Sequence, residues 1–195
     1  MNVQPSLTTQ AHAIISDYVT GNVIAIDATL GNGHDTLFLA KKIGTQGSLF
    51  GFDTQQKAVD STRCRLENEE LTDNIILYTL SHDQMATCIP EHFHGKVKVI
   101  MFNLGYLPGS DKSIITQVDT TLSALQQSIT LLASPGILTI MAYPGHAGGD
   151  IETQQITRWC QQLNAECFDC QMIINAEKET APRLFVIKKL AAFDC

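Results

Sequence analysis

No apolar run in the 195-residue chain approaches the roughly 20 residues needed to cross a bilayer, so no membrane-spanning helix is expected. The N-terminus lacks a basic stretch followed by an apolar one. This predicts no signal peptide and, by default, a cytoplasmic location without a membrane partner. Basic residues are scarce: 13 Lys and Arg stand against 20 Asp and Glu, for a net charge of −7. That balance excludes a protein that coats nucleic acid through bulk electrostatics, and no DNA partner is expected. It leaves room for an RNA held by a local basic patch. Internal repeats, low-complexity segments and domain linkers are absent, which predicts a single domain over 1–195. At 44% hydrophobic and 17% charged residues, the chain is globular and long enough to bury a full core. The six cysteines read as reduced, mostly buried thiols of a cytosolic protein. Cys167 and Cys170 have CxxC spacing, but no second pair completes a zinc site. They read as small hydrophobes in or near a strand, and no metal is expected.

What is present is alternation. Apolar, β-branched runs at 22–26, 48–52, 74–80, 97–102 and 137–142 read as strands. Helical periodicity predicts helices at 6–19, after Gly33, at 55–70, after His82-Asp83, at about 114–133 and at 150–163. Strands alternating with helices make a parallel sheet covered on both faces. The two last β-rich runs, 167–174 and 184–189, have no helix between them and should form an antiparallel edge pair. The expected fold is therefore α/β and Rossmann-like, with a mostly parallel sheet of seven strands. In such sheets ligands sit beyond the carboxyl ends of the strands. That rule gathers Asp27 to Asp35, Asp53, His82-Asp83, Asn103 to Tyr106 and Tyr143 to His146 on one rim.

The first of these turns reads Asp27-Ala-Thr29-Leu-Gly31-Asn32-Gly33-His34-Asp35-Thr36. A strand, a glycine turn and a helix start point backbone N–H groups at a bound ligand. A dinucleotide fingerprint would need GxGxxG/A, and Thr36 occupies its third small position. A pyrophosphate would also be repelled by Asp27 and Asp35, whereas a ligand with a cation and ribose hydroxyls would not. S-adenosyl-L-methionine is such a ligand. Asp53, ending the second strand, suits ribose hydroxyls, a position that dinucleotide binders share. His82-Asp83 is placed to meet an adenine edge. An NAD-dependent oxidoreductase on the same sheet stays open as the alternative.

With Asp27-Ala-Thr29-Leu-Gly31-Asn32-Gly33 in place, the chain resembles class I S-adenosylmethionine-dependent methyltransferases, with Thr29 in the slot of their first motif glycine. The strings DATLGNGHDTLFLA, NLGYLPGSDK and YPGHAGG are similar to those of a small bacterial rRNA methylase (YtqB-like) family over nearly the whole chain. That resemblance implies S-adenosyl-L-methionine as cofactor, contacted by Asp27, Thr29, Gly31, Asn32, Gly33, His34, Asp35, Thr36, Asp53, His82, Asp83 and Asn103. It also implies tRNA, at the anticodon region, as partner. The reaction implied is methylation of the amine of wobble 5-aminomethyl-(2-thio)uridine. Methylation of rRNA or of a small molecule is the alternative within the class, and a homodimer stays open.

On the substrate side, Asn103-Leu-Gly-Tyr106 stands where amine methyltransferases of this class carry Asn-Pro-Pro-Tyr. An asparagine carbonyl accepts from a target amine, and a tyrosine ring supports a base by stacking. Tyr143-Pro-Gly145-His146 follows the fifth strand, and a histidine among glycines has few side chains to pack against. It is the first candidate for taking the amine's proton, with Tyr143 second. Tyr106, Lys112, Tyr143, Gly145 and His146 are the candidate substrate contacts, with Lys178 and Arg183 as further RNA candidates. The family carries an Ala-His pair at Ala11-His12, read here as a lid over the cofactor.

Overall fold

The computed structural model describes residues 4–105, 116–176 and 178–191. Among them, seven strands form one sheet: β1 (Ile24–Asp27), β2 (Ser48–Phe52), β3 (Ile75–Tyr78), β4 (Val97–Asn103), β5 (Leu132–Ala142), β6 (Phe168–Ile174) and β7 (Arg183–Lys189). Their order across the sheet is β3-β2-β1-β4-β5-β7-β6. The first five are mutually parallel, and β7 runs antiparallel to both β5 and β6. Because β7 is reversed, its first residue, Arg183, pairs with Ala142 at the end of β5. The β6–β7 connection therefore joins the same rim as the turns that follow β1, β2 and β4.

Both faces of the sheet are apolar, as parallel strands covered twice require. Alternation along β4 shows it: Val99 and Met101 face one core, while Ile100 and Phe102 face the other. Helices α1 (Leu7–Ser16), α2 (His34–Ala40) and α3 (Gln56–Glu67) cover the first face through Ala11, Ile15, Leu39 and Leu66. The second face is covered by α4 (Met85–Cys88), α5 (Val118–Leu131) and α6 (Gly149–Gln162) through Met85, Leu125, Leu131 and Ile156. None of the described helices is long and apolar enough to cross a membrane.

The expected elements are present, with shifted ends. The fifth strand begins at Leu132 rather than 137, since Leu132 already pairs with Val97. Pro135-Gly136 punctuates the strand without ending it. The cysteine reading needs correction. Cys64 and Cys170 are exposed thiols, Cys88 and Cys160 are half-buried ones, and Cys167 is disulfide-bonded. Within the CxxC spacing the two differ, Cys167 being buried and disulfide-bonded and Cys170 a free, exposed thiol.

Candidate active site

One cavity of about 730 Å³ opens at the carboxyl ends of β1, β2, β4 and β5. Of the residues expected there, Thr29, Gly31, Asn32, His34, Asp35, Asp53, His82, Asn103, Tyr143, Gly145 and His146 line it. Asp27, Gly33, Thr36 and Asp83 are not on its wall, for reasons the geometry makes plain. Asp27 is 1% exposed and accepts from the Thr36 hydroxyl at 2.6 Å and the Thr29 amide at 3.1 Å, so it staples the turn from behind. Burial, with the nearby Asp35 charge second, pushes its carboxyl up to about 7. Gly33 lies in the left-handed region at φ 76°, and a Cβ there would stand 2.9 Å from the Thr62 Cα. Its role is to let α3 approach the turn. The backbone carbonyl of Asp83 accepts from Gln127 Nε2 of α5. Tyr106 and Lys112 fall outside the described residues.

The turn after β1 is tied to its neighbours on three sides. Asp53 Oδ2 accepts from the Gly31 amide at 3.0 Å, and Oδ1 accepts from the Gln55 amide at 2.9 Å. Arg65 of α3 donates to the Asn32 carbonyl at 2.8 Å. Thr29, standing in the glycine slot, accepts from the Asn103 amide at 2.6 Å and so joins the β1 turn to the end of β4. Leu104 and Gly105 of the Asn103 to Tyr106 stretch also line the cavity, as do Ser81, Thr116 and Thr180, which the sequence did not single out. Behind them, Glu152 is buried on α6 and accepts from the Thr116 and Thr121 hydroxyls at 2.9 and 2.7 Å. Its place on the helix face shared with Thr153 and Ile156 was the available signal, since a charge on a buried face needs partners.

The wall fits a nucleoside with a charged tail. Each Asp53 oxygen holds one backbone amide and keeps a second lone pair, which suits two vicinal hydroxyls. His82 faces the Ala28 carbonyl with Nδ1 at 3.3 Å, and a carbonyl only accepts, so that nitrogen carries the proton. Burial holds the imidazole below its ordinary range, hence neutral. Its buried Nε2 has no partner among the described residues and is an acceptor at the cavity edge. An exocyclic amine is the kind of donor it lacks. Asp35 lies on the wall with the remaining negative charge.

Strand order, an acid-stapled glycine turn after β1 and an acid after β2 define an S-adenosyl-L-methionine-dependent methyltransferase of the Rossmann-like fold. The family described as "Putative rRNA methylase" matches residues 49–189, and the chain belongs to it. It is 34% identical over 93% of its length to the chloroplastic tRNA (mnm(5)s(2)U34)-methyltransferase of Arabidopsis thaliana, spanning 69% of that protein. Among solved structures, a putative rRNA-methylase from Clostridium thermocellum superposes with a TM-score of 0.89 at 36% identity, covering 97% of this chain and all of that one (100%). A putative methyltransferase from Streptococcus mutans, solved in complex with SAH, gives 0.83 at 32% identity, covering 96% of this chain and 100% of its own.

Proposed function

We propose that this methyltransferase acts on RNA, and within RNA on the wobble uridine of tRNA, turning the amine of 5-aminomethyl-(2-thio)uridine into its methylamino form. The observation that carries the reading is Asn103, a half-buried amide at the end of β4 on the cavity wall that Tyr143 and His146 also line. Its side-chain oxygen is an acceptor for an amine N–H. The likeness to the Arabidopsis tRNA enzyme over nearly the whole chain supports tRNA as the RNA class.

When bound, S-adenosyl-L-methionine supplies an electrophilic methyl group on its sulfonium. The chain's residues then have two tasks. Asn103 aims the lone pair of the acceptor amine. A proton acceptor keeps that amine neutral, since an ammonium has no lone pair. Tyr143 is a poor base, because burial, with the Asp35 charge second, raises its hydroxyl above the ordinary range and keeps it protonated. His146 is the better candidate. Its Nδ1 faces the Ala147 carbonyl at 3.1 Å, a contact in which Nδ1 carries the proton. Gly105, at φ 113°, gives the ring its room: a Cβ there would sit 3.4 Å from Nε2. Lys178, on the β6–β7 connection, and Arg183, the first residue of β7, lie at the same rim and are the candidate contacts to RNA phosphates.

The test is transfer of labelled methyl groups to total tRNA and, separately, to ribosomal RNA from a strain lacking the gene. Incorporation into tRNA is expected. Incorporation into ribosomal RNA alone would replace this reading with the rRNA methylation from which the family takes its description.

A further inference from the structure

Asp35 is held from two elements at once, in a way cofactor binding does not require. The residue is 7% exposed, and its carboxylate has a separate partner on each oxygen. Oδ1 meets His12 Nε2 of α1 at 2.7 Å, and Oδ2 accepts from Asn103 Nδ2 of β4 at 3.2 Å. His12 is itself fixed, lying flat on Phe38 with ring centroids 3.8 Å apart and planes within 3°. Phe38 follows Asp35 by one helical turn, so α2 presents both the carboxylate and the ring that His12 spans. Nearer its start, α1 is tied down by Gln10, whose Nε2 donates to Asn175 Oδ1 at 2.9 Å.

We propose that Asp35 and His12 are positioning residues for methyl transfer: they lock the Asn103 amide so that its oxygen, and not its nitrogen, faces the acceptor amine. The inference rests on the reading that Asn103 meets that amine. The two ends of an asparagine amide have nearly the same shape, and only the oxygen accepts from an N–H. A carboxylate can only accept, so beside Asp35 the amide must offer its nitrogen, which turns the oxygen away from α2. The bond is charge-assisted and therefore about twice as strong as a neutral one. The Asn103 backbone is meanwhile pinned by Thr29, leaving the side chain as the remaining freedom. His12 has a second effect. By occupying Oδ1, it keeps that oxygen from pairing with the substrate as an ammonium, the form that cannot attack.

The discriminating experiment is a set of double-mutant cycles, read as kcat and KM for tRNA, together with amide spectra of the cofactor-free protein. Asn103→Ala should lower kcat roughly a hundredfold, as expected for a lost alignment. Asp35→Asn and His12→Ala should lower kcat about tenfold while KM changes little, and His12→Gln, which keeps a donor for Oδ1, should recover most of it. In the Asn103→Ala background, neither change should alter kcat by more than about twofold, because residues acting through one group are not additive. In the nuclear magnetic resonance spectrum, the Asn103 side-chain amide pair, identified by its loss in Asn103→Ala, should shift in both Asp35→Asn and His12→Ala. His12 lies on a surface helix, so its variants keep the test readable if Asp35→Asn does not fold. Additive losses in the double mutants, or an unmoved amide pair, overturn the proposal alone. Full kcat in Asn103→Ala overturns it together with the reading on which it rests.

Discussion

The cofactor half and the substrate half of the rim use one device, a strand end and the turn after it, but hold it differently. After β1 and β2 the turn is closed by its own hydrogen bonds. Asp27 and Asp53 each use both oxygens on neighbouring donors, and Arg65 pins the Asn32 carbonyl. After β4 and β5 the described wall includes Gly105, whose amide donates to the Thr116 hydroxyl at 3.0 Å, together with Gly145 and the half-buried Tyr143 and His146. A cofactor of fixed shape is met by a preorganised cradle, which lowers the cost of binding. An RNA base has to enter and leave, and glycine-bordered side chains leave room for it. Asn103 sits where the two meet, its backbone amide on the Thr29 hydroxyl and its side-chain amide on Asp35.

The comparison breaks most visibly on the substrate side. His146→Ala should lower the methylation rate roughly a hundredfold, the scale of a lost general base, while calorimetry finds cofactor affinity nearly unchanged. Raising the pH should recover part of the rate, because it deprotonates the amine without help. Loss of cofactor binding in this variant would place His146 in the other half.

On the cofactor side, Asp53→Ala should weaken S-adenosyl-L-methionine binding roughly tenfold to a hundredfold, from hydrogen bonds to a charged group worth about 1.5–3 kcal/mol. The same change frees the Gly31 and Gln55 amides, so thermal unfolding should also fall by a few degrees. An unchanged dissociation constant would remove Asp53 from the ribose site. Binding of NAD in place of S-adenosyl-L-methionine would end the methyltransferase account.

Gly33→Ala should cost about 1–2 kcal/mol of stability from the left-handed backbone alone, before Thr62 is displaced. Chemical denaturation measures it, and a neutral result would show that α3 can retreat. The smallest effect sharpens the role of Asp27. Its folded pKa, about 7, is raised above the unfolded value, so the neutral form is favoured in the fold. The stabilisation is full below about pH 4 and is lost as pH rises through about 7. Asp27→Asn keeps an acceptor for the turn and removes this titration. Relative to the wild type it should gain stability between pH 4 and pH 8, and parallel profiles would show that Asp27 is ionised throughout.

Much of this was legible because it is local. Apolar runs placed the strands to within a few residues, and the missing helix between the last two placed the antiparallel neighbour. The strand-end rule collected most of the cavity wall. What escaped depends on distance in the chain. His12 meets Asp35 only because α1 docks against the same sheet face as α2, and no local pattern encodes that angle. Periodicity likewise could not separate Asp27, which faces inward beneath the turn, from Asp53, which faces the cavity. Both are acids at strand ends, and only the path of the turn tells them apart. Glu152 was readable in principle as a charge on an apolar helix face, but its threonine partners lie at the start of α5.

The most direct measurement is mass spectrometry of nucleosides from tRNA that carries the unmethylated aminomethyl wobble base, taken before and after incubation with the purified protein and S-adenosyl-L-methionine. The account predicts that 5-aminomethyl-(2-thio)uridine disappears as its 5-methylaminomethyl form grows in equal amount. Persistence of the unmethylated nucleoside, with the methyl group found on another nucleotide, would contradict it.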